Sequence, residues 1–162
     1  MRLADVLEQQ GSRDAARALI VEAQQKGGDD VALLKRDLLQ ALYREPPEGF
    51  TAALEIAQKL LARRDAANDP FVHLWVAAAY GQKYLYLLKN NGSEADLKLA
   101  RARALAAAKR VVELAPDPKT SVRTLLRNML DPSQPGAAPE DNDLEVFKTD
   151  PEFQQVINPT LR

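Results

Sequence analysis

Residues 104–117 read Ala-Leu-Ala-Ala-Ala-Lys-Arg-Val-Val-Glu-Leu-Ala-Pro-Asp. Ala104 and Ala108 lie one helical turn apart, so a neighbouring helix can approach that face closely, and Val111-Val112 closes the seam. Leu114 is the last large apolar position before Pro116, which lacks a backbone N–H and clashes with the preceding turn, so the helix stops there. A chain built from such units packs helix on helix. The composition agrees: 46% of the 162 residues are apolar but only 6% are aromatic, so the apolar mass is mostly Ala and Leu, good helix formers that together suit close interhelical contact.

The same periodicity recurs along the chain. Leu3, Val6 and Leu7 predict a short helix over 2–10. Ser12 caps a second with Ala15, Ala16, Leu19, Ile20 and Ala23 inward, stopped at Gly27-Gly28. Asp29 or Asp30 caps a third helix carrying Val31, Leu34, Leu38, Ala41 and Leu42, broken at Pro46-Pro47. A fourth runs from about Phe50 with Ala53, Leu54, Ala57, Leu60 and Leu61 inward. Asn68-Asp69-Pro70 re-caps a helix over about 70–89 that is apolar most of the way round, the pattern of a helix sandwiched between neighbours. After the Asn90-Asn91-Gly92 turn, Ser93 caps a helix to about Leu114, and another occupies about 118–130. No segment shows the alternation of a strand, so the fold class is all-α.

Residues 131–139 hold three prolines and a glycine and read as a Pro-rich loop. Apolar spacing returns at Leu144, Val146, Phe147, Phe153, Val156 and Ile157, in two short helical pieces broken at Pro151. The expected organisation is a helical repeat domain over 1–130, the loop at 131–139, and a C-terminal capping segment over 140–162 packed on the same domain.

The Ala-rich helix closing on Leu114-Ala115-Pro116-Asp117, with Ala77-Ala78-Ala79-Tyr80-Gly81-Gln82 in the helix before it, resembles a tetratricopeptide repeat (TPR). Aligning second helices places Ala16, Ala53 and Ala104 at one small position, with Ile20, Ala57 and Ala108 four residues later. The intervals are 37 and 51 residues, against about 34 for a regular TPR, and the resemblance covers about residues 12–117. The segment from Asp143 to Phe153, Leu-x-x-Phe followed by Asp-Pro-x-Phe, is similar to the closing segment of many bacterial TPR proteins. The resemblance implies a solenoid of about three helical hairpins with C-terminal capping helices, in which Leu144, Phe147, Phe153 and Ile157 cover the last apolar face.

TPR domains are binding scaffolds, so the resemblance implies a non-enzymatic docking module for a partner protein or peptide. First helices line the concave face of such a stack. The implied groove carries Lys35, Leu39 and Tyr43 on one helix and Leu74, Ala78 and Gln82 on another. Lys35 matches one position of the chaperone-tail carboxylate clamp, but Leu39 and Ala78 stand where Asn is expected, which argues against a clamp.

The residues themselves offer no catalytic set. There is no cysteine and a single histidine, His73, whose favoured role is packing or groove lining. No Gly-rich phosphate loop and no EF-hand spacing occurs. No cofactor, metal site or catalytic residue is expected. The N-terminus shows no signal-like apolar region, and no run reaches the roughly 18 apolar residues of a membrane span, which with the absence of cysteine gives a cytoplasmic expectation without membrane association.

Lys119, Arg123 and Arg127 are spaced i, i+4, i+8, which would align three cations on one helix face, beside a basic helix with Lys98, Arg101, Arg103, Lys109 and Arg110. One reading is a stripe for an acidic peptide or a nucleic-acid backbone. The favoured reading is that the acidic tail from Glu140 to Glu152 answers these cations, since a net charge of −1 argues against a nucleic-acid footprint. Two alternatives to docking stay open: a structural module that self-associates into a homo-oligomer through Leu3, Val6 and Leu7, and a sensor of nucleic acid or an anionic ligand through the stripe.

Overall fold

The computed structural model describes residues 31–159, and every regular element among them is helical. The order is α1 (Val31–Leu42), α2 (Glu48–Leu61), α3 (Pro70–Lys89), α4 (Glu94–Leu114), α5 (Ser121–Leu130), a 3-10 turn (Glu145–Phe147) and α6 (Pro151–Ile157). The helices expected over 2–10 and 12–26, with Leu3, Val6, Leu7, Ala16 and Ile20, lie outside the described residues.

Local chemistry sets most of the boundaries. Asp69 accepts a hydrogen bond from the Phe71 N–H at 2.9 Å while Pro70 takes the first helical position, where its missing N–H costs nothing. α3 ends with Asn91 in the left-handed region at φ 54° and the Gly92 N–H donating back to the Leu87 carbonyl at 2.7 Å, a Schellman closure with asparagine in the usual glycine position. Ser93 then caps α4 by accepting from the Asp96 N–H at 3.1 Å.

α5 begins later than the spacing over 118–130 predicts. The Asp117 carboxylate accepts from the Lys119 N–H at 2.9 Å and the Asp117 carbonyl accepts from the Thr120 N–H at 3.3 Å. That turn occupies residues 117–120, and the helix starts only at Ser121. Lys119 is therefore a turn residue.

α3 is the centre of the described fold: α1, α2, α4 and α5 all pack on it, its pairing with α4 being the most extensive. Its buried face is correspondingly wide and includes Val72, Leu74, Val76, Gly81 and the run Ala77-Ala78-Ala79. Ala53, Ala57, Ala104 and Ala108 are all buried, and their short side chains let the helix axes close up where longer ones would wedge them apart.

The polypeptide after the Pro-rich loop rejoins this core. The Leu144 N–H donates to the Met129 carbonyl at 3.1 Å, at the end of α5. Leu144, Phe147, Phe153 and Ile157 are all buried. Phe147 and Phe153 stack with centroids 4.3 Å apart and planes 4° from parallel, and Tyr84 of α3 leans on Phe147 at 4.8 Å. Asp150 caps α6 and also accepts from Arg101 of α4, with Nε at 2.7 Å and Nη2 at 3.0 Å. Arg101 reaches Glu152 as well, so one arginine ties α6 to α4. These hydrogen bonds hold the Asp150 carboxyl below its usual range.

Candidate functional site

α1, α3 and α5 open onto one cleft of about 250 Å³. α1 supplies Leu39 and Leu42, the turn after it supplies Tyr43, and α3 supplies Phe71, Leu74, Trp75 and Gln82. Leu125 and Met129 come from α5, and the chain leading into the 3-10 turn adds Glu140, Asp141 and Asp143. The wall is apolar and partly aromatic, and it is accessible from α1, where Leu39 is 37% and Tyr43 69% exposed. Exposed leucine and tyrosine beside a half-buried tryptophan form a surface that gains by being covered.

Of the six groove residues expected from the sequence, Leu39, Tyr43, Leu74 and Gln82 line this cleft. Lys35 stands beside it: its ammonium pairs with Asp69 and lies 5.9 Å from the centroid of the Trp75 ring. Ala78 is fully buried and packs in the core, because α3 is surrounded at that level. Leu42, Phe71, Trp75, Leu125 and Met129 are additions to the expected groove, as are the three acids, which the sequence reading assigns to the basic helices.

Gln82 joins two sides of the site. Its Nε2 donates to the Leu42 carbonyl at the end of α1 and to Asp143 Oδ1, both at 2.9 Å. One side chain thereby fixes the lip of α1 against the tail. Gly81 makes the adjoining approach possible: a Cβ there would collide with the Asp143 carbonyl oxygen, so only glycine lets the tail lie directly on α3.

The lip is electrically one-sided. Among the described residues no ion pair neutralises Glu140, Asp141 or Asp143, although Gln82 does hydrogen-bond to Asp143. Burial, opposed by the Gln82 hydrogen bond and reinforced by Asp141, pushes the Asp143 carboxyl up to about 6. Burial also raises the Tyr43 phenol, with Asp141, Asp143 and Glu140 adding to the effect. The phenol thus feels all three carboxylates.

The raised Asp143 pKa means that the folded state holds this proton more tightly than the unfolded state. The stability that protonation supplies is complete below about pH 4, the unfolded value, and is lost as the pH rises through about 6. Asp143→Asn keeps an oxygen for Gln82 and removes the charge. It is expected to raise stability by roughly 2 kcal/mol at pH 7.5 and to leave it unchanged at pH 4, as read by urea denaturation at the two pH values. A variant less stable at pH 7.5 would contradict a penalty from the buried charge.

The cationic stripe expected at Lys119, Arg123 and Arg127 does not form. Arg123 is buried at 4% exposure, and its Nη1 donates to the carbonyls of Ala115 at 2.9 Å and Pro116 at 3.3 Å. Burial pulls its guanidinium below the usual arginine value. Arg127 donates to the Pro118 carbonyl at 2.8 Å and to the Thr124 hydroxyl at 3.1 Å. Both arginines satisfy groups left open where α4 ends and the chain turns, which is where a multi-donor fork finds free acceptors. The expectation that the acidic tail answers the cations holds in part, at Arg101 of the basic helix and not at the stripe. Asp150 and Glu152 go to Arg101 of α4, and Glu140, Asp141 and Asp143 face the cleft.

His73 Nε2 lies 2.8 Å from the Ala67 carbonyl, a contact between α3 and the connection preceding it. Among the described residues no group of three or more acids or histidines is placed to hold a metal ion, and no helix is long and apolar enough to cross a membrane. No protein-family model matches this sequence, and no curated protein or solved structure is significantly similar to it.

Proposed function

We propose that this chain is a TPR-like docking module that holds a segment of a partner protein in the cleft between α1, α3 and α5, without a catalytic step. The observation that carries the proposal is the use of alternate helices. α1, α3 and α5 line the cleft, while α2 and α4 contribute no lining residue. Helical hairpins stacked side by side produce this arrangement, with the first helix of each hairpin on the shared face. α1 packs on its hairpin partner α2 and also on α3, the first helix of the next hairpin, and α3 repeats the relation with α4 and α5. The buried alanines at positions 53, 57, 104 and 108 stand where the TPR resemblance expects small residues.

The size of the cleft also favours a docked side chain. About 250 Å³ is below the roughly 300–1,000 Å³ typical of small-molecule pockets. It accommodates an anchor from an extended or helical segment, with the rest of that segment lying over Leu39 and Tyr43.

Trp75 is the sole tryptophan of the chain and lines the cleft, so its fluorescence reports occupancy. A random peptide library selected on the immobilised protein is expected to yield binders that shift Trp75 emission. Leu39→Glu/Tyr43→Ala is expected to weaken them at least about tenfold, or ~1.4 kcal/mol. Selected peptides that bind the double variant equally well and leave the emission unchanged would place binding elsewhere and remove the proposal.

A further inference from the structure

On that reading of the cleft as a docking groove, we infer that its occupant is a cationic apolar segment, in which a large apolar side chain fills the space beside Trp75 and an adjacent lysine or arginine meets Glu140, Asp141 and Asp143. Charge complementarity carries the inference. Three carboxylates stand along one lip of a desolvating apolar wall, and no described ion pair neutralises them. Of the other acids beyond α5, Asp131 pairs with Lys148 at 2.7 Å and Asp150 and Glu152 pair with Arg101, while Glu145 is exposed and away from the cleft. Acids are thus paired where α6 meets α4 and where Asp131 meets Lys148, and left without a counter-charge at the cleft.

The walls suit the same ligand. Tyr43, Phe71 and Trp75 offer aromatic faces, which attract a cation and also pack well on the methylene stem of lysine or arginine. Lys35 already holds an ammonium near the Trp75 ring, so that ring accepts a cation beside it. An acidic segment would bring like charge to a lip whose carboxylates already raise the Tyr43 phenol. A neutral segment would cover the apolar wall and leave the carboxylates further desolvated without a counter-charge. A bound cation favours the ionised form of Asp143, whose burial otherwise disfavours it.

The test uses the full chain and three end-blocked heptapeptides sharing one frame of phenylalanine and leucine at alternate positions. The intervening positions are all lysine, all glutamine or all glutamate. Trp75 emission and calorimetry are followed at low and moderate salt. The lysine peptide is expected to bind at least about tenfold more tightly than the glutamine peptide, with an advantage that shrinks as salt rises. The glutamate peptide is expected to give no saturable change. Glu140→Gln/Asp141→Asn should remove most of the lysine advantage and leave glutamine-peptide binding intact, which also shows that the variant is folded; an undiminished advantage overturns the charge inference. Asp143 is spared because it holds the tail to Gln82. Equal affinities for the lysine and glutamine peptides, or tighter binding of the glutamate peptide, overturn the charge inference while the docking groove stands. Binding that never alters Trp75 emission, or no binding by any of the three, overturns both.

Discussion

Gly81→Ala is expected to detach the tail from α3 and to cost about 3 kcal/mol of stability. The added methyl would run into the Asp143 carbonyl oxygen and approach the Leu144 Cδ2 to 3.1 Å. The first obstacle is backbone, so no rotamer change relieves it, and the tail has to move away. Moving it breaks the hydrogen bonds from the Leu144 N–H to Met129 and from Gln82 to Asp143, at roughly 1 kcal/mol each. It also uncovers Leu144, now fully buried, at roughly 2 kcal/mol. The better helix propensity of alanine returns about 1 kcal/mol at most. The net loss should lower the melting temperature by roughly 10 °C for a chain of this length, and it should expose residues 131–143 to proteolysis before the helical core opens. Unchanged melting together with unchanged protease resistance would show that the tail does not need glycine beneath it.

Phe153→Ala is expected to cost about 4 kcal/mol, within the roughly 3–5 kcal/mol range for emptying a buried phenylalanine site. Phe153 is fully buried and stacked on Phe147, which in turn touches Tyr84 of α3. Arg101 lies 5.9 Å from the centroid of the Phe153 ring while holding Asp150 and Glu152. Truncation leaves a void bordered by an aromatic ring and a guanidinium, neither of which can collapse into it without giving up its own contacts. Phe153→Leu preserves most of the volume and should cost about 1.5 kcal/mol or less. Urea denaturation of the two variants separates cavity formation from loss of the stacked ring. If alanine and leucine proved equally mild, the tail would have to be a loosely attached appendage.

Both substitutions act on contacts between residues far apart in sequence, which is where pattern reading has least to work with. Helix ends carrying their own chemistry were legible: Asp69-Pro70, Asn91-Gly92, and Ser93 with Asp96 stop or start helices by bonds to near neighbours. The wide apolar surface of residues 70–89 likewise foretold a helix with neighbours on several sides, and α3 has four. The start of α5 was misjudged because Asp117 offers its carboxylate to the turn, a local competitor that apolar spacing does not register.

The site was partly legible. Leu39 and Tyr43, and Leu74 and Gln82, were picked out by helical spacing as groove candidates, and all four line the cleft. Ala78 has the same spacing but faces the core, since spacing within a helix does not say how many neighbours surround it. The acids of the lip, which the sequence reading assigns to the basic helices, were misplaced for a different reason. Glu140, Asp141 and Asp143 meet Tyr43 and Gln82 only because Gly81 lets the tail lie down on α3. Nor does i, i+4 spacing reveal whether an arginine reaches water or curls onto a carbonyl. For Arg123 the position of the end of α4 decided it.

The Gln82 crosslink and the Asp131–Lys148 pair fasten the two ends of the segment between α5 and the 3-10 turn, leaving Glu140 and Asp141 without a structural bond to any helix. On the proposed docking role, grip and discrimination would reside in separate parts of the molecule. The helices furnish an apolar seat, part buried and part exposed, whereas the strap across its edge carries charges that can be exchanged at little cost to folding. Such a division would open the proposed preference for one partner over another to revision by a few substitutions on the strap, with the scaffold left as it stands.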